Sequence, residues 1–194
     1  MEMESHNPYQ APAAAIADSV AAPVPAAARV SGNAHAELLF APSGVKLIVM
    51  SLCTLNLYAV YWFYRNWKAI RIADGANLMP FWRAFFSPLW AYSCFKRLRE
   101  LAQTRRRQLA FSPGTLALAF FLLNVVSRAP VPYALLSFLS FMPLLPVNSL
   151  VRDFRRAEGA DHERDDRFGV ANWLAIVLGG GIVLLALFGL MLEG

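Results

Sequence analysis

The stretch NWLAIVLGGGIVLLALFGLML, residues 172–192, contains 21 residues without a charge. At about 1.5 Å per residue, a helix of this length crosses a hydrocarbon core of about 30 Å, so the stretch predicts a membrane-spanning helix. The composition of the 194-residue chain agrees, because 57% of its residues are hydrophobic and only 16% are charged. Such a composition excludes a disordered protein, a disulfide scaffold and a coiled coil, and it predicts an integral membrane protein.

Three further apolar segments predict spanning helices, at residues 45–64, 112–127 and 131–147. The first ends in aromatic residues followed by basic ones, which is typical of the cytoplasmic end of a spanning helix. The apolar segment 80–95 contains Arg83, and its uncharged part is short, so it favours an interfacial or re-entrant segment over a fifth span. The predicted fold is therefore all-α, a multi-pass membrane protein with four spanning helices.

The N-terminal part of the chain differs in composition from the rest. Residues 1–40 are rich in alanine and proline, and we expect them to form a disordered tail. The first residues are acidic where a secretory signal would be basic, so the tail is not interpreted as a signal peptide. The helical membrane domain then covers residues 41–194 and contains two polar loops, 96–108 and 148–169, that we expect in the cytoplasm.

The distribution of Lys and Arg predicts the orientation, because cytoplasmic segments carry an excess of these residues. If segment 80–95 does not cross the membrane, 15 basic residues lie on one side and three on the other. If it crosses, the counts are 13 and four. Both arrangements place the C-terminus outside the cytoplasm, and they disagree on the side of the N-terminus. Segment length and basic residues both favour the first arrangement, whereas the long N-terminal tail favours the second, because it is harder to export than to leave inside.

Arg83 is the first candidate for function, because ionisable residues at membrane depth are commonly functional. It either recognises a partner or extends to lipid phosphates at the interface. The basic residues that follow it are Lys96, Arg97, Arg99, Arg105, Arg106 and Arg107. We expect this set to contact anionic head groups, or alternatively only to fix the topology. The aromatic residues expected at the membrane interface are Tyr61, Trp62, Tyr64, Trp67 and Trp82.

Small residues in the last apolar segment predict a close helix contact. They are Ala175, Gly179, Gly180 and Gly181. Small side chains let two helix backbones approach each other within a membrane. These residues would serve as a homodimer interface or as a hinge. Alternatively, they would pack against other spans of the same chain.

No sequence pattern indicates catalysis, a cofactor or a metal site. The nucleophile elbow, the phosphate loop and the His-Glu-x-x-His pattern are all absent from the sequence. Residues 161–167 carry alternating acidic residues but lack the glycine and terminal glutamate of a calcium loop, so we interpret them as a solvated, self-neutralising loop. The positive-inside rule explains the net charge of +5, and no nucleic-acid partner is expected.

Residues 51–95 also resemble a family of small bacterial multi-pass membrane proteins of unknown function. The shared pattern is LYxxYWFYxNW at 57–67, a turn at Gly75, and PFWRAFF at 80–86. The resemblance implies a bacterial inner-membrane protein from about residue 40 onward, with a periplasmic C-terminus. It brings no catalytic residue with it.

These observations predict a non-enzymatic accessory, scaffold or assembly protein. Its basic, aromatic cytoplasmic face would contact anionic lipid or a membrane partner. The alternative is a small transporter, channel or lipid-translocating protein, in which Arg83, Asn56 and Asn124 line a polar path.

Overall fold

Helices form most of the computed structural model, which describes residues 35–102, 112–130, 133–161 and 163–193. No strand occurs in these ranges, so the predicted all-α class is confirmed. Most of the expected N-terminal tail, as well as Arg105, Arg106 and Arg107, lies outside the described residues. The elements are α1 (Gly44–Cys53), α2 (Leu57–Asp74), α3 (Pro80–Phe85), α4 (Ser87–Ala102), α5 (Pro113–Val126), a 3-10 helix (Tyr133–Phe141), α6 (Leu144–Ala157), α7 (Glu163–Asp166) and α8 (Val170–Glu193).

Two helical stretches of the described chain are long and apolar enough to cross a membrane, Leu135–Ala157 and Glu163–Ala186. In the first stretch, 44% of the most apolar window is buried within the protein. In the second stretch, the buried share of that window is 0%. Two more apolar helices, α1 and α5, are shorter. The predicted span 131–147 overlaps the first part of Leu135–Ala157, and the predicted span 172–192 overlaps Glu163–Ala186, so two of the four predicted spans correspond to helices of sufficient length and four spans are not confirmed.

The predicted single span at 45–64 is wrong, because the chain turns back within it. Leu55 and Asn56 have φ values of 50° and 68°, a left-handed backbone that ends α1 and precedes α2. Asn66, in the middle of α2, accepts a hydrogen bond from the backbone N–H of Phe40 (3.2 Å) and donates to its carbonyl (3.0 Å). Since Phe40 precedes α1, these bonds show that α1 and α2 form an antiparallel hairpin.

Aromatic rings from α2, α4 and α5 form the centre of the core. Phe63 lies 5.7 Å from Phe95 and 5.2 Å from Phe120, measured between ring centroids. Trp62 and Trp67 are almost fully buried among them, with exposures of 0% and 1%. The prediction that these two tryptophans lie at the membrane interface is therefore wrong, because both side chains are on the face of α2 that packs against the rest of the protein.

The aromatic segment 80–95 consists of two helices with a break between them. Gly75 ends α2 in a left-handed conformation, and Pro80 begins α3, where its missing N–H costs no hydrogen bond. Phe86 interrupts the helix, and α4 then continues to Ala102. The predicted cytoplasmic loop at 96–108 is thus helical in its first part.

The predicted polar loop at 148–169 is also largely helical, and part of its charge is buried. α6 continues to Ala157, and Asn148 on it accepts from the indole N–H of Trp62 (2.9 Å) and donates to the Pro42 carbonyl (2.7 Å). The Arg155 and Asp165 side chains form an ion pair and are only 4% and 10% exposed. The amphipathic pattern of α6 explains this burial, since its apolar face packs on the core.

Lys46 connects this charged region to α1. Its ammonium group donates to the backbone carbonyls of Asp165 (2.9 Å) and Arg167 (2.6 Å). Asp166 accepts from the backbone N–H of Ser43 (2.7 Å) and pairs with Arg152. The chain entering α1 is therefore fixed by residues more than 100 positions later.

A close backbone contact joins α8 to the end of α1. A Cβ atom at Gly179 would lie 2.9 Å from the carbonyl carbon of Cys53, and closer still to its oxygen. At Gly180 the nearest atom would be the Cys53 sulfur at 3.6 Å, whereas at Gly181 nothing lies within 4 Å. Ala175 is partly buried against the core. Ala175, Gly179 and Gly180 therefore pack against other parts of the same chain.

Candidate functional site

Four aromatic side chains on and after α3 form an exposed patch, here called the aromatic edge. They are Phe81, Trp82, Phe85 and Phe86, and they are 46% to 61% exposed. Their rings contact one another, with Phe85 and Phe86 5.1 Å apart and Trp82 and Phe86 6.2 Å apart. An exposed aromatic cluster of this kind is typical of a surface that meets a membrane or a partner.

Arg83 lies beside the aromatic edge, between two indole rings. Its guanidinium carbon is 4.7 Å from the centroid of Trp67 and 4.4 Å from that of Trp90. Trp67 belongs to α2 and is buried, whereas Trp90 belongs to α4 and is 39% exposed. Cation–π contacts at these distances hold the guanidinium in place without engaging its N–H donors.

The end of α2, α3 and α4 line an open pocket of about 480 Å³ next to Arg83. We call it the cationic pocket, and its polar or aromatic lining consists of Trp67, Asp74, Arg83, Tyr92, Ser93, Lys96, Arg97 and Glu100. The structure thereby brings together Arg83, Lys96 and Arg97 of the predicted basic set.

Arg97 connects both acidic residues of the cationic pocket. It donates to Asp74 (2.8 Å) and to Glu100 (2.7 Å). The hydrogen bond from Arg97 lowers the pKa of the Glu100 carboxyl, and the bonds to Glu100 and Asp74 raise the pKa of Arg97. Both carboxylates are thus held by the same arginine.

The other predicted site residues are more dispersed. Arg99 lines a second pocket of about 420 Å³ between α4 and the start of α5. Tyr61 and Tyr64 are 42% and 37% exposed on α2, and Tyr61 accepts a hydrogen bond from Arg65 (2.9 Å). These residues do not line the cationic pocket.

Residues of this site that were not among the predicted site residues are Trp90, which contacts Arg83, and Asp74, Tyr92, Ser93 and Glu100 in the pocket lining. Trp90 follows the break at Phe86, and the sequence alone does not indicate that the chain returns it to Arg83. The spacing of Arg97 and Glu100, three residues apart on a helix, was a usable signal for their ion pair.

Asn56 and Asn124, the two asparagines predicted within the membrane, are not part of the cationic pocket. Asn56 donates to the Ser140 hydroxyl, and its Oδ1 atom is buried without a hydrogen-bond partner among the described residues. The same holds for the Ser51 hydroxyl, one turn before the break. Asn124 donates to the Phe120 carbonyl of its own helix (2.8 Å). Arg83, Asn56 and Asn124 therefore have separate surroundings.

Neither a family model, a curated protein nor a solved structure matches this chain. The resemblance to bacterial multi-pass membrane proteins stays a prediction.

Proposed function

We propose that this is a non-enzymatic integral membrane protein, an accessory or scaffold component that contacts anionic lipid through the aromatic edge and its neighbouring cations. The observation that carries the proposal is the position of the aromatic edge beside the cationic pocket. Aromatic rings favour the membrane interface, and cations beside them attract anionic head groups. The lack of a catalytic sequence pattern supports a non-enzymatic role.

The contacts between helix ends support one orientation. Asn66 and Asn148 bond to the chain at Phe40 and Pro42, and Lys46 bonds to the chain before α8. The basic ends of α2, α4 and α6 therefore lie at the same end of the protein, which the positive-inside rule assigns to the cytoplasm. In this arrangement α1 and α2 form a re-entrant hairpin. The spanning segments are α5, the stretch Leu135–Ala157, and α8.

Cysteine labelling tests this orientation. In a chain with Cys53 and Cys94 replaced by serine, we expect a cysteine at residue 75 to react only from the cytoplasmic side. A cysteine at residue 128 should react only from the opposite side, because in this arrangement α5 crosses the membrane and residue 128 lies in the turn after it. Labelling of both positions from one side would contradict the arrangement.

Lipid retention tests the proposed contact. The full chain is placed in membranes or vesicles that contain equal amounts of phosphatidylglycerol and phosphatidylcholine, and it is then purified. The lipid that stays bound to the protein is measured by mass spectrometry. We expect enrichment of phosphatidylglycerol, reduced when Arg105, Arg106 and Arg107 are changed to glutamine, since each cation near the surface contributes about 1 kcal/mol. Retention of both lipids in the supplied ratio would refute lipid contact.

A second candidate function is transport, which the break between α1 and α2 favours. Broken helices with buried polar groups form the substrate sites of many transporters. Here the unpartnered oxygens of Ser51 and Asn56 lie at such a break. A solute flux in reconstituted vesicles that Asn56→Ala abolishes would support this candidate, and flux indifferent to this substitution would exclude it.

A further inference from the structure

The cationic pocket contains more positive charge than its carboxylates neutralise. Asp74 and Glu100 both pair with Arg97. Among the described residues, Arg83 forms no hydrogen bond or ion pair, and Lys96 attracts Glu100 only at longer range. Two cations are thus available to a ligand in one open pocket, and an anionic ligand is favoured.

The position of Arg83 suits it to bind a phosphate. The two indole rings fix the guanidinium plane, so little side-chain entropy remains to be lost on binding. A guanidinium offers five N–H donors, and its fork geometry matches two phosphate oxygens. The ring contacts leave these donors free of protein acceptors.

A buried donor in the lining also lacks a partner. Trp67 is 1% exposed and lines the pocket, and its indole nitrogen has no hydrogen-bond acceptor among the described residues. An unpaired buried donor costs about 1–3 kcal/mol, so such groups in native proteins usually require an explanation. The unpaired donor therefore belongs to a residue that lines the pocket, although the nitrogen itself is covered by protein atoms.

We infer that the cationic pocket binds the phosphate of an anionic membrane lipid, with Arg83 and Lys96 as its cationic ligands. The aromatic edge favours a lipid over a soluble ion, because its exposed rings lie on or directly after the helix that carries Arg83 and suit contact with the glycerol and acyl region. The inference rests on the proposed lipid contact and adds a specific site to it.

Native mass spectrometry of the full chain in detergent tests the inference. The probes are phosphatidic acid, phosphatidylcholine and inorganic phosphate, each added alone. We expect one phosphatidic acid molecule to be retained preferentially. Lys96→Gln and Arg83→Gln should each weaken its affinity about fivefold, the effect of one cation near a lipid phosphate.

The matched controls are Lys68→Gln and Arg71→Gln on α2, which remove the same charge from exposed positions outside the pocket. We expect changes below about twofold for each, because screening weakens distant exposed charges. Lys96 is exposed and forms no ion pair, so Lys96→Gln should fold normally even if Arg83→Gln does not.

Three results would overturn the inference in distinguishable ways. Equal losses in the pocket variants and the controls would leave general lipid contact intact and exclude a specific pocket. Binding of inorganic phosphate without binding of phosphatidic acid would exclude a lipid as the source of the phosphate. No preference of the wild type for any anionic lipid would refute the proposed function as well.

Discussion

Gly179→Ala tests whether α8 requires a residue without a side chain where it meets α1. The added Cβ would lie 2.9 Å from the carbonyl carbon of Cys53, whereas carbon atoms in good contact are about 3.5–4.0 Å apart. The obstacle is backbone, so α1 and α8 must separate by roughly 1 Å. Overpacking of this kind costs about 1–3 kcal/mol. We expect Gly179→Ala to lower the free energy of unfolding by that amount.

Gly181→Ala is the matched control, since nothing lies within 4 Å of its added Cβ. Without a clash, alanine should stabilise the helix by roughly 0.5–1 kcal/mol relative to glycine. The two variants are compared by sodium dodecyl sulfate titration of the protein in mild detergent, with thiol labelling of Cys53 as a second measurement. Separation of the helices should speed labelling only in Gly179→Ala. Equal stability and equal labelling in both variants would refute the close contact.

Two further predictions concern buried polar groups outside the lipid site. Asn66→Ala leaves the N–H and carbonyl of Phe40 without their side-chain partner, so we expect a loss of about 2–5 kcal/mol in unfolding free energy, against little change for the exposed Asn77→Ala. If both variants unfold at the same denaturant concentration, the hairpin is not held by Asn66. Asp165→Ala leaves Arg155 charged and buried and should cost about 3–5 kcal/mol, whereas Glu163→Ala on the same helix breaks only an exposed pair and should cost under about 1 kcal/mol. A loss for Asp165→Ala as small as that for Glu163→Ala would contradict burial of the pair.

The parts of the fold that depend on local apolarity could be predicted from the sequence. The uncharged run at 172–192 corresponds to α8, and the run at 112–127 corresponds to α5, which has serine at its N-cap and proline at its first position. In both cases the helix boundary is marked by residues within the helix or beside it.

The α1–α2 hairpin could not be predicted in this way. Its turn contains Leu55 and Asn56 rather than glycine or proline, so hydropathy shows one continuous apolar run. The left-handed backbone there is stabilised by packing and by the bond of Asn56 to Ser140, which is 84 residues away. Such a tertiary effect has no local signal.

The charged region after residue 148 is a second case of this kind. Its alternating charges are typical of a solvated loop, but Arg155 and Asp165 pair with each other beneath Lys46. The candidate site shows the same limit, because Arg83 could be selected by its charge among apolar neighbours, whereas its contacts with Trp67 and Trp90 depend on the chain path through three helices.

The bonds of Lys46 have a consequence for biosynthesis. Its carbonyl acceptors belong to residues 165 and 167, and the helix that packs on Cys53 comes later still. At about 5–20 residues per second, a ribosome needs roughly 6–24 s to produce the intervening 120 or so residues. During this interval the α1–α2 hairpin has been synthesised but α7 and α8 have not. Lys46 therefore lacks the backbone carbonyls to which it donates in the complete protein. A nascent chain that stops before residue 165 therefore lacks the groups that Lys46 and the end of α1 contact in the complete protein.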